Sequence, residues 1–216
     1  MKRIAPEKIE EEYVNKVYDA IAPHFDHTRY KPWPGVKKFV ENLSPLSHFI
    51  DVGCGNGRNL KINPMCYDMG TDMSMSLCKI AAETGRPMLC ASAVELPIRS
   101  NFFDHAICIA VIHHFASFER RVQCMKEICR IIKPGGTAFV TAWATKQPRK
   151  QYEDPDQMIP WNVRKDFDEN QPRYERFYHF FVQGEFQALI EHVPELELVS
   201  EVWEEGNWEV VVAKKV

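Results

Sequence analysis

The 216-residue sequence holds no apolar run near the ~20 residues that cross a bilayer, so no membrane span is expected. It has no C-x-x-C pair, which removes the usual zinc and dithiol spacings, and no metal site is expected. Neither charge dominates: 27 basic and 30 acidic residues leave a net charge of −3. A global grip on nucleic acid is therefore not expected, and any polyanion contact has to be local. The start, Met1-Lys2-Arg3-Ile4-Ala5-Pro6, lacks the apolar core of a secretory leader. Internal repeats and low-complexity tracts are missing. The seven cysteines are an odd number. Cys54, Cys78, Cys90 and Cys108 lie in apolar or tight settings and are expected to be reduced packing thiols. A reducing compartment follows, the cytoplasm or alternatively the nucleus. Glycine is scarce as well. Only ten occur, and three of them crowd into five positions, Gly53, Gly55 and Gly57.

That cluster ends an apolar run in Phe49-Ile50-Asp51-Val52-Gly53-Cys54-Gly55-Asn56-Gly57. A buried strand delivers its carboxyl end to a small ligand in this way. The spacing is G-x-G-x-G, not G-x-G-x-x-G. A dinucleotide loop turns bare N–H groups toward a pyrophosphate, and a carboxylate at Asp51 would repel that anion. An acid there suits a ligand with positive charge, such as S-adenosylmethionine with its ammonium and sulfonium. Asp72 closes a second apolar segment, 21 residues after Asp51, near the spacing at which a carboxylate takes ribose hydroxyls. A glycine loop alone also serves to reverse a chain. With Asp72 and the later Lys133-Pro134-Gly135-Gly136 turn, the sequence resembles the class I S-adenosylmethionine-dependent methyltransferases. The resemblance implies cofactor contacts at Asp51, Gly53, Cys54, Gly55, Asp72, Met73, Ser92, Ala93 and Ala110. Where such enzymes often place an acid after the third strand, this chain has Ser92-Ala93.

The hydrophobic fraction of 45% and the length suit one domain with a sizeable core. Helical spacing predicts a helix over Glu7–Ile21, stopping before Pro23. His24–Pro34, aromatic and broken by proline, reads as an ordered loop or lid, and Gly35–Leu43 as a second helix. Strands are expected at His48–Val52, up to Asp72, at Met88–Ala91 on a sheet edge, at His105–Ile112 and at Thr137–Trp143. Helices are expected from Ser74 to Ala82 and from Ser117 to Ile132. Ala144–Pro172 shows no periodicity, and a stretch of that length is functional or disordered. Extended to Arg176 it carries seven basic and seven acidic residues, so it is not an electrostatic tail. A helix at Gln183–Val193 and strands Leu196–Trp203 and Trp208–Ala213 complete the chain, the strands joined by a turn at Glu204-Glu205-Gly206-Asn207. The fold class is α/β: a Rossmann-like, mostly parallel twisted sheet, helices on both faces, with a C-terminal antiparallel hairpin. The region 1–47 carries the N-terminal helices and lid, and 144–182 a substrate-side insertion.

Ligands gather beyond the carboxyl ends of such strands, which draws attention to Ala110-Val111-Ile112-His113-His114-Phe115. Neighbouring residues on a strand point to opposite sides, so at most one histidine is expected to face the site. It would be a base, an acceptor-orienting group or part of a polar turn.

The stretch Ile109–Phe115 with Glu119-Arg120-Arg121 carries a narrower resemblance. So do His24-Phe25, Thr28-Arg29, Pro32-Trp33-Pro34, Trp161, Arg176-Phe177-Tyr178-His179, Gly184-Glu185 and Asn207-Trp208. Together they are similar to the eukaryotic tRNA wobble-uridine carboxymethyl methyltransferases, over roughly Tyr13–Ala213. That family includes the methyltransferase domain of the human AlkB-homologue tRNA hydroxylase, and this chain looks like the stand-alone form. The resemblance implies methyl transfer to the carboxylate of 5-carboxymethyluridine in the tRNA anticodon stem-loop. It implies catalytic roles for Arg29 and for His113 or His114. Arg29 would fork onto the acceptor or onto the cofactor's own carboxylate. Trp33, Trp143, Trp161, Arg176, Tyr178, Asn207 and Trp208 would contact substrate, the aromatic ones by stacking. The tryptophans are otherwise core filler, and Asn207-Trp208 otherwise only closes a hairpin. Lys146, Arg149, Lys150, Arg164 and Lys165 meet phosphates or stay solvated. A small zinc-binding activator protein is the implied partner, with the Met88–Cys90 edge free to pair with it or covered by the chain's own helices. A small-molecule acceptor, or an inactive cofactor-binding scaffold, are the alternative readings.

Overall fold

The computed structural model describes residues 4–29 and 31–216. The leader reading falls partly, and the Tyr30 position of the lid reading wholly, outside them.

The N-terminal helix is longer than the sequence suggests. α1 (Pro6–Glu10) runs through a π turn at Glu11–Asn15 into α2 (Lys16–Thr28), straight past Pro23. Proline in a helix interior costs about 3 kcal/mol. Burial of Ile21, Ala22 and His24 outweighs it, because this face packs on Trp161 and Val163. The expected lid therefore shrinks to the few residues around 29–33. α3 (Pro34–Glu41) starts with its proline at the first helical position, where no N–H is missed.

The sheet follows the chain as β1 (His48–Val52), β2 (Tyr67–Asp72), α4 (Met75–Ala82), β3 (Met88–Cys90), β4 (Phe103–Ile109), α5 (Phe118–Ile131) and β5 (Ile132–Trp143). Ser74 and Ser117 cap α4 and α5, their hydroxyls accepting from the Leu77 and Arg120 N–H groups. The expected fourth strand ends three residues early. Ile112–His114 instead forms a 3-10 turn, because Ala110 leaves the strand with φ at 58°.

Ala144–Pro172 is not irregular. It opens with a two-residue-arm hairpin, β6 (Lys146–Gln147) with β7 (Lys150–Gln151). It then gives β8 (Asp156–Asn162), which pairs antiparallel with β9 (Arg173–His179). Alternation fails to announce β8 because Pro160 and the polar face interrupt it. α6 (Glu185–Ile190) is shorter than expected. β10 (Leu196–Glu204) and β11 (Asn207–Lys214) meet at Glu205 and Gly206, both at positive φ, the geometry of a tight hairpin turn.

The seven strands lie in the order β10-β11-β5-β4-β1-β2-β3. β1 pairs in parallel with β2 on one side and β4 on the other, so the order reverses at β1. Such a reversal opens a crevice at the carboxyl ends of the strands. One face is buried by α5 and α6 through Met125, Ile128, Phe186 and Leu189. The other is buried by α3 through Val36 and Val40 against Phe49 and Phe139. β8 and β9 pack on α2 through Trp161, closing a wall over the crevice. All seven cysteines are free thiols, and six are buried. Cys90, on the edge strand, is exposed, which corrects its reading as a packing thiol.

His179 locks this wall to the body. Its Nδ1 lies 2.6 Å from Asp156 and its Nε2 2.9 Å from Glu185, which also pairs with the buried Arg121 at 3.3 Å. Burial opposes the imidazolium charge, yet the two carboxylates win and its pKa is raised. A raised folded pKa means the stabilisation is complete below the unfolded value near 6.5 and fades as pH rises through the folded value. Thermal melts should therefore lose stability from mildly acidic to alkaline pH in wild type and lose less in His179→Gln. Parallel curves would refute the role.

Candidate active site at the sheet switch point

A cavity of about 340 Å³ opens where the strand order reverses. Its floor is the loop after β1. Gly53 and Cys54 both turn their N–H groups back to the Thr71 carbonyl, at 2.7 and 2.8 Å. Gly53 holds φ at 75°, and a Cβ there would meet Val111 Cγ2 at 2.3 Å. Asp72 then ties two loops together. One carboxylate oxygen accepts from Gly55 N–H and the other from Ser74 N–H, each at 2.9 Å. Burial raises its pKa and these bonds restrain the rise. Across the cavity, Ala110 lines the wall in a left-handed conformation, its N–H held by the Thr141 hydroxyl at 2.9 Å. Strained backbone of this kind concentrates at working sites.

Of the residues picked out by sequence, the cavity gathers Arg29, Trp33, Gly53, Cys54, Gly55, Asp72, Met73, Ser92, Ala93, Ala110, His114, Trp143, Arg176 and Tyr178. Five lie elsewhere. Asp51 is wholly buried behind the loop, with Asn59 Nδ2 3.2 Å from its Oδ2. Burial pushes its pKa up to about 7 against that hydrogen bond and the nearby Arg58. Its Oδ1 is buried without a partner, and Asp51 does not line the cavity. His113 is turned aside, its Nδ1 accepting from the Trp143 N–H at 3.1 Å, which fixes the end of β5. The two histidines part because a 3-10 turn carries them, not a strand. Trp161 is core, donating to His24 Nδ1 at 3.0 Å beneath Arg29 and Arg176. Asn207 belongs to the hairpin turn. Trp208 donates to the Phe181 carbonyl and packs on the main core.

His114 is held at both ring nitrogens. Nδ1 is 2.9 Å from the Phe177 carbonyl, which only accepts, so Nδ1 carries the proton. Nε2 then accepts from the Tyr18 hydroxyl at 3.0 Å. Burial lowers its pKa to about 3, so the ring is neutral. Neither a free donor nor a base near neutrality remains on it.

Sequence reading missed Tyr18 and Arg58. Tyr18 was hidden in an apolar helical stripe. Arg58 follows Gly57 directly, and its position after the glycine loop was the available clue. Arg58 lines the cavity, and its Nε is buried without a partner. Burial and the neighbouring Arg29 lower its pKa. Arg29 lies over Phe25 and Trp161, and its carbonyl accepts from Asn56 of the glycine loop at 2.6 Å.

A methyltransferase domain family model matches residues 50–140. The tRNA (carboxymethyluridine(34)-5-O)-methyltransferase of Schizosaccharomyces pombe is 37% identical over 95% of this chain and 97% of its own length. The chain belongs to that family. The Arabidopsis thaliana protein of the same name is 48% identical over 65% of this chain but only 35% of its own, so this chain spans about a third of it. Among solved structures, an S-adenosylmethionine-dependent methyltransferase from Clostridium acetobutylicum superposes with a TM-score of 0.70, covering 93% of this chain and 97% of its own at 17% identity. A Haloferax volcanii methyltransferase, solved in complex with the Trm112 methyltransferase activator, gives 0.70 over 94% and 98% at 15% identity. These two likenesses concern the fold, a Rossmann-like methyltransferase sheet.

Gly53→Ala should destabilise the chain by about 1–3 kcal/mol, from the clash with Val111 and the forced φ. At this size that corresponds to a fall of several degrees in melting temperature, read by calorimetry. An unchanged melt would show the loop free to move.

Proposed function

We propose that this chain transfers the methyl group of S-adenosylmethionine to the carboxylate of 5-carboxymethyluridine at the wobble position of tRNA, giving the methyl ester. The observation that carries this is one cavity joining two kinds of wall. On one side lie the glycine loop, Asp72 and Ala110, and on the other Trp33, Trp143, Tyr178 and Arg176.

The first side fits the cofactor. The bare backbone at Gly53 and Gly55 lets Val111 and Phe25 close directly on the loop, at 2.3 and 3.1 Å from where a Cβ would sit. Asp72 keeps lone pairs for ribose hydroxyls beside Met73, and Ser92-Ala93 flank the adenine position. Arg58, unpartnered at Nε, and Arg29, tethered through Asn56, are the cations for the methionine carboxylate. When bound, the cofactor supplies an electrophilic methyl on a sulfonium.

The acceptor carboxylate is already ionised at neutral pH, with a reference pKa near ~4. No base has to create the nucleophile. The chain's work is to hold the carboxylate in line, shed part of its water and stack the base. Trp33, Trp143 and Tyr178 provide aromatic faces for an unpaired uridine. His114 positions Tyr18 and takes no proton. The anticodon stem-loop would approach across the β6–β9 wall, where Lys146, Lys150, Arg164 and Lys165 are exposed.

A small zinc-binding activator would dock on β3. That strand is the outer edge of the sheet, with Cys90, Met73 and Met75 exposed beside it. An open edge is a template for main-chain pairing. Work on tRNA with reduced thiols fits the cytoplasm, with the nucleus as the alternative.

The test is nucleoside mass spectrometry of tRNA after incubation with chain, cofactor and co-expressed activator. Loss of 5-carboxymethyluridine and gain of its methyl ester is expected; an unmodified wobble base would refute the reading. Asp72→Ala should remove measurable S-adenosylmethionine binding in calorimetry, and wild-type affinity would contradict the cofactor assignment. Between pH 6 and 8, neither His114, which titrates near 3, nor the acceptor, near ~4, should shape kcat, and any change there should come from Asp51 beneath the loop, near 7. A rise with a midpoint near 6.5 that persists in Asp51→Asn would restore a histidine base.

A further inference from the structure

Arg176 is a cation in the cavity wall with no counter-ion. It is 5% exposed, and no carboxylate lies within 4 Å of it among the described residues. Its Nη1 donates to the Tyr178 hydroxyl at 2.8 Å and the Tyr18 hydroxyl at 3.3 Å. Its Nε is buried without a partner. The guanidinium carbon lies 4.7 Å from the Trp161 ring centroid and 5.1 Å from that of Tyr178. Burying an unpaired charge is costly, and removing one partner of a buried pair typically costs several kcal/mol. Tyrosines do not repay it as counter-ions. Burial holds the Tyr178 hydroxyl well above its ordinary range, so it stays protonated.

The hydroxyl protons around it have one direction. His114 Nδ1–H is spent on Phe177, so Tyr18 donates to His114 Nε2. The Tyr18 oxygen then accepts, from Arg176 and from the Tyr178 hydroxyl at 3.3 Å. Tyr178 in turn accepts from Arg176. Every proton in the chain points from Arg176 toward the backbone of Phe177. The cluster therefore presents guanidinium N–H groups, and the acceptor it leaves is one lone pair on the Tyr178 oxygen.

We infer that Arg176 is the counter-ion of the acceptor carboxylate and sets selectivity for the acid over its neutral amide. This rests on the reading of the acceptor as 5-carboxymethyluridine. A carboxylate brings two acceptors and the missing charge, a match for a planar fork. The isosteric amide brings no charge to offset the cation and turns an NH₂ toward guanidinium N–H groups where the acid has a second acceptor, and sites built on such a match discriminate strongly. His114, Tyr18 and Tyr178 are positioning residues that aim the fork.

The experiment compares anticodon stem-loops bearing 5-carboxymethyluridine or 5-carbamoylmethyluridine, bound to the full chain with its activator. Wild type should bind the acid more tightly. Arg176→Met should lose that preference, weakening the acid roughly 10-fold or more while the amide and the cofactor stay within about twofold, and kcat/KM should fall roughly 100-fold. Arg176→Lys keeps the charge and loses the fork. It should retain the preference for the acid with kcat/KM down about tenfold. Equal losses for acid and amide in both variants, or an intact preference in Arg176→Met, would overturn the proposal and leave wobble methylation standing. Failure of wild type to methylate the acid would overturn the underlying reading instead.

Discussion

One carboxylate holds the working end of the sheet together. Asp72 receives the Gly55 N–H from the loop after β1 and the Ser74 N–H that opens α4, so two neighbouring strand ends share a single clamp. Ser74 in turn receives the Leu77 N–H and, through its hydroxyl, bonds Asp19 of α2 at 2.5 Å. The N-terminal helix is thereby attached to the floor of the cavity. Part of the far wall rests on that attachment, because α2 carries Tyr18 and Phe25 and packs against β8 and β9. Local hydrogen bonding at the switch point thus helps determine where that wall stands.

The parallel core was legible because its strands are covered on both faces and read as unbroken apolar runs. Ala106–Ile109 is a case in point. Ser74 and Ser117 marked helix starts through cap chemistry that is local to the sequence. Elements whose existence depends on distant partners were not legible. Pro23 inside α2 survives only through tertiary burial. β8 and β9 exist as each other's partner, from Asp156 with His179 to Asn162 with Arg173. No periodicity in either segment alone announces that pairing.

The site divides in the same way. Residues fixed by the glycine loop and the strand ends, Gly53, Asp72, Met73 and Ala110, all line the cavity. Asp51 did not face the cavity, because alternation along β1 turns it under the loop, where Asn59 and Arg58 attend it. His113 and His114 took different tasks because Ala110 breaks the strand before them. Tyr18 was invisible as a functional residue, since its hydroxyl meets His114 and Arg176 only after 96 and 158 residues of chain have folded back.

The unpaired guanidinium also bears on how a turnover ends. Esterification erases the negative charge of the acceptor while leaving its shape almost intact. The product then presents a methyl group to a cation that again lacks an anion, and the attraction that drew the substrate in is gone. With Arg176 as that counter-ion, release would be favoured by the chemistry itself, and finished tRNA would compete weakly with the unfinished kind for the same crevice.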